Sequence, residues 1–286
     1  MSAIPPNTLI STDELAERLS EPSLVLIDVR HDLVKAERWG VDEFNQAHIP
    51  GAIFLHLDRD LSAPKTGTNG RHPLPTPEAA AAVFGRSGID ASKQVVAYDQ
   101  NNGVFASRLW WMLRWLGHDA VAVLDGGFAK WMREGRPVTA DVVAPRPTSF
   151  EVTHVTPTLN SVGVEASLSR HTLLLVDARA AERYRGDVEP MDPVAGHIPG
   201  AVNHPASQNI GADGVFKPPA ALRADFQALL GGRSPTEVVH QCGSGVTACH
   251  NMLAMEIAGL PGTRLYPGSW SEWVSNPLRP VAKSGR

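Results

Sequence analysis

Cys242 stands where a cysteine side chain can act as a nucleophile. It follows the apolar run Glu237–Gln241 and opens the stretch Cys242-Gly243-Ser244-Gly245-Val246-Thr247, after which residues 248–258 have a helical pattern. Unpaired backbone N–H groups and the positive end of a helix dipole favour an anion at the start of a helix. Because the thiolate is the reactive form of cysteine, the pattern predicts a strand, a tight loop and a helix that hold a nucleophile.

The residues that follow Cys242 suit a loop around a single anion. Gly245 leaves the backbone free to turn, and Ser244 and Thr247 add hydroxyl donors. A buried, inert thiol at the end of a core strand is the alternative that the cysteine alone leaves open. The loop residues predicted to bind the substrate are Gly243, Gly245, Val246 and Thr247.

Composition and length indicate a globular protein of two domains. The chain has 286 residues, more than one domain usually has. Its net charge of -4, without charge blocks, suggests neither a nucleic-acid nor a membrane surface. Residues 1–11 lack the basic cluster and apolar run of a signal peptide, and we expect a cytoplasmic protein. Cys242 and Cys249 are too few for a disulfide scaffold, and Cys249 is interpreted as a packing residue.

An internal repeat indicates a duplicated chain. Three pairs of segments match: Leu24–Arg30 with Leu173–Arg179, His48–Ala52 with His197–Ala201, and Leu124–Trp131 with Tyr266–Trp273. The first two pairs share an offset of 149 residues (177 − 28 and 197 − 48), whereas the third has an offset of 142 (266 − 124). One offset shared by two separate motifs is hard to produce by chance.

A proline-rich stretch separates the two halves. Residues 137–147 contain Pro137, Pro145 and Pro147, and proline neither donates to a strand nor continues a helix. We therefore expect a linker within residues 138–152 that joins neither core. The predicted domains are residues 1–140 and residues 153–286.

Short apolar runs alternate with helical patterns in each half. The predicted strands of the first half are Leu24–Val29, Val95–Asp99 and Val121–Leu124, and its predicted helices are Thr12–Leu19, Pro77–Phe84 and Phe105–Leu116. Buried strands separated by helices predict an α/β fold, with a parallel sheet and helices on both faces. Ligands bind at the carboxyl ends of such strands, where Cys242 lies.

These motifs together resemble the tandem-domain rhodanese family of sulfurtransferases. The resemblance is carried by the two His-Ile-Pro-Gly-Ala motifs, the Cys242 loop and Gly268–Trp273. It implies two tandem rhodanese-like domains, the second of them catalytic. The loop is most similar to that of the 3-mercaptopyruvate branch, because thiosulfate-using members carry basic residues just after the cysteine, where this chain has Gly243 and Ser244.

The resemblance also implies a two-step mechanism. The Cys242 thiolate would take sulfur from a small-molecule donor as a persulfide, and a second nucleophile would then remove that sulfur. The acceptors implied are cyanide, a thiol, or a protein thiol such as that of thioredoxin. No cofactor and no metal is expected. Thiosulfate as donor, or a role as persulfide carrier to a protein, remain the alternatives.

Proton transfer to the leaving group is the other task that the resemblance implies. Ser244 resembles the catalytic serine of the family, and His48 resembles its histidine partner. Glu37 is the weakest candidate, as the acid behind that histidine. Since His197 occupies the same motif in the second half, a structural role for both histidines stays open.

Recognition of an anionic donor calls for arginine. Arg183 matches the first of the two arginines that bind the donor in this family, whereas the second would fall at Asp192. That acid is a departure from the mercaptopyruvate branch and is more similar to the thiosulfate branch. Arg185 is a possible substitute, with a plain surface arginine as its alternative.

The repeat predicts that the first domain is not catalytic. Tyr98-Asp99 occupies the position of Gln241-Cys242, and a carboxylate cannot accept sulfur. Asp99 itself is expected to be a solvated acid at the end of a strand. A phosphatase of the same fold is disfavoured, since its Cys-x5-Arg loop would need arginine at Ala248.

Overall fold

The computed structural model describes residues 7–35, 37–170 and 172–284 of the chain. These residues form two compact units. The first unit comprises the described residues up to Ser62, together with Pro75–Thr156 and Ala212–Phe216. The second unit comprises Ala63–Leu74, Pro157–Gly211 and the described residues from Lys217 onward. Each unit therefore includes one short segment from the other half of the sequence.

The first unit is built on a five-stranded sheet in which all neighbouring strands are parallel. Its strands are β1 (Leu9–Ile10), β2 (Leu24–Asp28), β3 (Ile53–Phe54), β4 (Gln94–Tyr98) and β5 (Val121–Leu124), in the order β1-β5-β4-β2-β3. Its helices are α1 (Thr12–Arg18), α2 (Trp39–Gln46), α3 (Leu57–Asp60), α4 (Pro77–Arg86), α5 (Val104–Trp115) and α6 (Gly127–Arg133). Local sequence explains the helix starts: Ser11 and Glu14 form a capping box on α1, and Thr76 caps α4 ahead of Pro77.

The second unit repeats this architecture on a four-stranded parallel sheet. Its strands are β6 (Leu174–Asp177), β7 (Val202–Asn203), β8 (Val238–Gln241) and β9 (Arg264–Leu265), in the order β7-β6-β8-β9. Its helices are α7 (Ser161–Arg170), α8 (Ala181–Arg185), α9 (Pro219–Leu230), α10 (Thr247–Ile257) and α11 (Ser269–Trp273). Every residue of β8 is buried, as expected of a central strand in a parallel sheet.

The duplication predicted from the sequence is visible in equivalent local contacts. His48 forms an antiparallel bridge with Thr139 in the first unit, and His197 forms one with Ala282 in the second. The ring of His48 stacks on Phe44 at 3.8 Å, and that of His197 stacks on Tyr184 at 3.9 Å. The α/β class, with two parallel sheets in tandem, is confirmed.

Residues 148–150, which fall within the range expected to be a linker, pack on the first unit. The backbone N–H of Thr148 donates to the carbonyl of Gly85 at 2.8 Å. Phe150 is 9% exposed and meets the ring of Phe84 edge to face at 5.2 Å. Burial of this phenyl ring adds to the core of the first unit.

Among the residues that the structure describes, no helix has both the length and the apolar character needed to cross a membrane.

Candidate active site

Cys242 lies directly after β8, at the carboxyl end of a buried strand and five residues before the start of α10 at Thr247. Its side chain is buried, with 1% exposure. The sulfur Sγ accepts a hydrogen bond from the backbone N–H of Gly245 at 3.2 Å. The predicted strand, loop and helix are therefore present, and a loop amide already points at the sulfur.

The loop is held from one side by residues 266–271. The backbone N–H of Trp270 donates to the carbonyl of Cys242 at 3.0 Å, and that of Ser271 donates to the carbonyl of Gly243 at 2.9 Å. Gly245 has φ +78, and a Cβ at this position would lie 2.2 Å from the carbonyl oxygen of Pro267. Only glycine fits here, because both the backbone angle and the space exclude a side chain.

Ser269 holds the backbone of Cys242, although its own backbone conformation is unfavourable for a residue with a side chain. Its hydroxyl accepts the N–H of Cys242 at 3.1 Å and donates to the carbonyl of Tyr266 at 2.9 Å. Ser269 has φ +54, in the left-handed region that side chains disfavour. The equivalent residue of the first unit is Gly127, with φ +57. The serine is thus tolerated where it anchors the Cys242 backbone.

Ser244 is hydrogen-bonded to His72, a histidine that was not predicted from the sequence. Its Oγ lies 2.7 Å from Nδ1 of His72, and both side chains are buried. His72 belongs to the segment Ala63–Leu74, which comes from the first half of the chain but is part of the second unit. The only sequence signal was an Arg-His pair between Gly70 and Pro73 in a stretch with no helical or strand pattern.

His48 and Glu37, the predicted partner and acid, lie in the first unit. The ring nitrogens of His48 lie 2.7 Å from the carbonyl oxygen of Phe44 and 3.2 Å from that of Asp141. Glu37 is exposed, and its carbonyl oxygen lies 2.9 Å from Nε2 of His56. The contacts of His48 match those of His197, whose Nδ1 lies 2.8 Å from the carbonyl of Tyr184.

Two arginines lie against the start of the loop in the second unit. A Cβ placed on Gly243 would be 2.6 Å from a terminal nitrogen of Arg71 and 3.7 Å from both terminal nitrogens of Arg183. Arg71 forms an ion pair with Asp192, and Arg183 pairs with Glu189 at 2.6 Å. Arg185 instead pairs with Asp187 at 2.8 Å, with its side chain 39% exposed.

Asp192 links the two arginines. One of its carboxylate oxygens accepts from Arg71, and the other lies 3.5 Å from Arg183. Burial raises the pKa of Asp192 above its usual value, and the hydrogen bond from Arg71 opposes that rise. The acid predicted as a departure from the mercaptopyruvate branch is therefore a buried anchor for guanidinium groups.

The remaining predicted loop residues line the same turn. Gly243, Gly245 and Val246 are buried, and Thr247 is half-buried. Cys249 is fully buried, and its thiol donates to the carbonyl of Gly245 at 3.3 Å. Both cysteines are free thiols.

The equivalent loop of the first unit is folded around a carboxylate. Asp99 is fully buried, so the expectation of a solvated acid is wrong. Its two carboxylate oxygens accept four backbone N–H groups at 2.8 to 3.3 Å, those of Asn101, Gly103, Phe105 and Ala106. Burial raises the pKa of Asp99 above its ordinary value, and the hydrogen bonds from these amides oppose that rise only in part. Four donors around two oxygens are the environment of an anion.

The arrangement in the second unit combines three chemical capacities. A thiol accepts a backbone amide of its own loop, a hydroxyl is hydrogen-bonded to an imidazole, and two guanidinium groups face the loop. These are the groups needed for nucleophilic attack, proton transfer and anion binding.

Comparisons with known proteins agree with the fold. The profile of the rhodanese-like domain matches residues 11–134 and 163–276. A Pseudomonas aeruginosa protein named probable 3-mercaptopyruvate sulfurtransferase is 48% identical over 277 residues, covering 96% of this chain and 97% of the relative. The thiosulfate sulfurtransferase of Rattus norvegicus is 36% identical over 277 residues, covering 93% of this chain and 91% of the relative. The solved 3-mercaptopyruvate sulfurtransferase from Leishmania major has a TM-score of 0.83 at 28% identity, covering 96% of this chain and 75% of its own.

Proposed function

This chain belongs to the rhodanese family, with two copies of the rhodanese-like domain. We therefore propose that it is a sulfurtransferase that carries sulfur on Cys242. The observation that carries the proposal is the position of the buried Cys242 thiol in a tight loop after β8, with the Gly245 N–H already donating to Sγ. A persulfide on this sulfur would present its negative charge to this loop.

The donor that we propose is 3-mercaptopyruvate. Relatives with this name include the Pseudomonas aeruginosa protein. The hydrogen bond between Ser244 and His72 supports the choice, because this donor leaves as a carbanion equivalent that needs a proton. The neutral residues Gly243 and Ser244 after the cysteine support it as well.

In the first step, the Cys242 thiolate attacks the sulfur of 3-mercaptopyruvate and forms the S–S bond. The C–S bond of the donor breaks, and its electron pair goes to the donor carbon, where the neighbouring ketone stabilises it as an enolate. The donor thiol gives up one proton and this carbon takes up one, which yields pyruvate. Cys242 is left as a persulfide anion.

Ser244 and His72 are proposed to move that proton. His48, the histidine predicted from the resemblance, has both ring nitrogens within hydrogen-bond distance of backbone carbonyl oxygens of the first unit. The 2.7 Å separation from Ser244 favours His72 instead. Exchange of a proton between a hydroxyl and an imidazole at this distance needs no rearrangement of the loop.

In the second step, an acceptor removes the outer sulfur and returns Cys242 to the thiolate. With cyanide, the persulfide anion and CN⁻ give the thiolate and SCN⁻, so charge and atoms balance. A small thiol, or a protein thiol such as that of thioredoxin, would receive the sulfur as its own persulfide. The cytoplasmic location stays a prediction that suits these reduced acceptors.

Thiosulfate is the second candidate donor. The two guanidinium groups at Gly243 favour any small anion, and the rat thiosulfate sulfurtransferase is among the relatives. Thiosulfate leaves as sulfite, an anion that needs no proton at carbon, so the Ser244–His72 pair would be idle with this donor.

The first domain is proposed to be non-catalytic. Asp99 replaces the cysteine, and the first unit includes the short segment Ala212–Phe216 from the other half of the chain. A Cβ on Gly103, in the Asp99 loop, would lie 3.5 Å from the ring of Phe216. An apolar ring therefore lies beside this loop.

The test is thiocyanate formation from cyanide, with 3-mercaptopyruvate and thiosulfate compared at matched concentrations. We expect clear preference for mercaptopyruvate, with one added sulfur on Cys242 detected by mass spectrometry when cyanide is omitted. Preference for thiosulfate would favour the second donor. Absence of persulfide with either donor would refute the proposal.

A further inference from the structure

We propose that Arg71 is a second donor-binding residue, which acts with Arg183 on the carboxylate of an α-keto acid donor. The inference rests on the proposed function, since it names the residues that recognise its donor. It concerns a residue outside the repeat motifs, in the segment Ala63–Leu74 that the second unit includes.

The position of Arg71 is the first argument. Its guanidinium is nearer to the Gly243 backbone than that of Arg183, at 2.6 Å against 3.7 Å from the same Cβ position. Its backbone N–H donates to the hydroxyl of Ser271 at 3.0 Å, and Ser271 in turn donates its N–H to Gly243. Arg71 is thereby fixed to the residue that follows the nucleophile.

Asp192 provides the second argument, because its two oxygens hold the two guanidinium groups on one carboxylate. The side chain of Asp192 is 3% exposed, whereas those of Arg71 and Arg183 are 22% and 18% exposed. The acid is thus buried behind the arginines, which keep part of their surface open. A buried carboxylate of this kind orients the two guanidinium groups and leaves their exposed sides open to the carboxylate of the sulfur donor.

The unused donors are the third argument. Among the described residues, Nε of Arg71 and Nε of Arg183 are buried and have no hydrogen-bond partner. Each guanidinium has five N–H donors in a planar fork, and the acids occupy only part of each fork. A buried N–H group without an acceptor costs free energy. The carboxylate of the α-keto acid and its adjacent ketone oxygen would supply the acceptors.

Gly243 fits this arrangement. A side chain at residue 243 would enter the space that Arg71 occupies. The basic group beside the loop therefore comes from the segment Ala63–Leu74 and not from the residues after Cys242.

The experiment compares Arg71→Met and Arg71→Lys with the wild-type enzyme in steady-state kinetics with 3-mercaptopyruvate. We expect KM to rise at least tenfold in Arg71→Met, with a smaller rise in Arg71→Lys, which keeps the charge but not the fork. Arg185→Met is the matched control, since its guanidinium pairs with Asp187 on the exposed side of α8. Its KM should stay within twofold of wild type.

Inorganic polysulfide separates this inference from the proposed function, because it delivers sulfur without a carboxylate. Persulfide formation on Cys242 from polysulfide should be equal in wild type and Arg71→Met. An unchanged KM for mercaptopyruvate in Arg71→Met, in an enzyme that turns over this donor, overturns the inference. A wild-type enzyme that forms persulfide from polysulfide but not from mercaptopyruvate would instead refute the proposed donor.

A charge exchange tests the role of Asp192. Asp192→Arg alone places two cations together and should raise KM as Arg71→Met does. Arg71→Asp combined with Asp192→Arg restores one guanidinium and one carboxylate, and should recover at least part of the lost affinity. A double variant no better than either single variant would contradict the anchoring role, provided that its melting temperature matches that of the single variants.

Discussion

His72 Nδ1 and Ser244 Oγ lie 2.7 Å apart, although the two residues are 172 positions apart in the chain. Both side chains are buried in the second unit. His72 directly follows Arg71 and Ser244 directly follows Gly243, and Arg71 lies against Gly243. The hydroxyl beside the nucleophile therefore has an acid–base partner of its own.

Removal of either member of this pair should slow mercaptopyruvate turnover. We expect Ser244→Ala and His72→Gln each to lower kcat/KM about 100-fold, the lower range for loss of a general acid or base. The double variant should be no worse than the poorer single variant, because the two groups act as one relay. Stopped-flow detection of pyruvate, with polysulfide loading as the control, measures the effect.

His48→Gln separates the two histidine assignments. This change removes a ring that stacks on Phe44, so we expect a lower melting temperature of the first unit, with kcat/KM kept within threefold in the folded protein. Loss of mercaptopyruvate turnover at unchanged melting temperature would return the catalytic role to His48.

The two cysteines should respond differently to substitution by serine. Cys242→Ser should abolish persulfide formation, because a hydroxyl cannot carry the sulfur. Cys249→Ser should keep most of the activity, since its hydroxyl can donate to Gly245 as the thiol does. Mass spectrometry of the loaded protein distinguishes the outcomes, and equal losses in both variants would contradict the assignment of the nucleophile.

Gly245→Ala should damage the loop. The new methyl group would meet the carbonyl of Pro267 at 2.2 Å on a backbone with φ +78, and the left-handed conformation alone costs about 1–2 kcal/mol for an L-residue. Gly232→Ala is the matched control, because Gly232 has φ +90 with no atom within 4 Å of the added carbon. Calorimetry should show a larger loss of stability for Gly245→Ala, and persulfide formation should fall at least tenfold in that variant alone.

Asp99→Asn should weaken the first unit without a large effect on turnover. The amide NH2 would face two of the four backbone N–H groups that now donate to the carboxylate, at a cost of about 1–3 kcal/mol. Asp119→Asn is the control, since the Asp119 side chain is 70% exposed. Calorimetry gives the stability, and mercaptopyruvate turnover should stay within twofold in the folded protein. A tenfold loss would contradict a non-catalytic first domain.

His240 should make the second unit sensitive to acid. Burial lowers the pKa of His240 to about 3, below the ordinary value near 6.5 that is expected in the unfolded chain. Between these values the unfolded state binds the proton and the native state does not, so stability falls as the pH is lowered from about 6.5 to about 3. His240→Phe should remove up to about 1.4 kcal/mol per pH unit of this dependence. Melting temperatures of both proteins from pH 7 to pH 4 test it, and parallel curves would contradict it.

Local pattern explains what could be predicted from the sequence. Strand β8, the Cys242 loop and α10 follow one another along the chain, so short-range signals suffice. The predicted strand Val121–Leu124 coincides with β5, and the predicted helix Thr12–Leu19 ends one residue beyond α1. Duplication of the chain was visible because both copies keep the same motifs.

Long-range placement explains what could not be predicted. Arg71 and His72 come from a stretch with no periodic pattern, and only the folded second unit brings them to Gly243 and Ser244. His48 resembles the histidine partner of the family and lies in a repeated motif, yet such motifs also serve structure, as the equivalent stacking of His197 shows. The buried environment of Asp99 depends on the amides of the following turn, which composition does not reveal.

The carboxylate of Asp99 has a geometric meaning for the chemistry of the other copy. The oxygens of an aspartate lie two bonds from Cβ, and so does the outer sulfur of a cysteine persulfide. Four amides of the first unit thus surround carboxylate oxygens at the distance from Cβ that the outer sulfur of Cys242 would reach only while it is loaded. The Asp99 loop therefore shows how backbone amides can surround acceptor atoms two bonds from Cβ, which is where a persulfide on Cys242 would carry its outer sulfur.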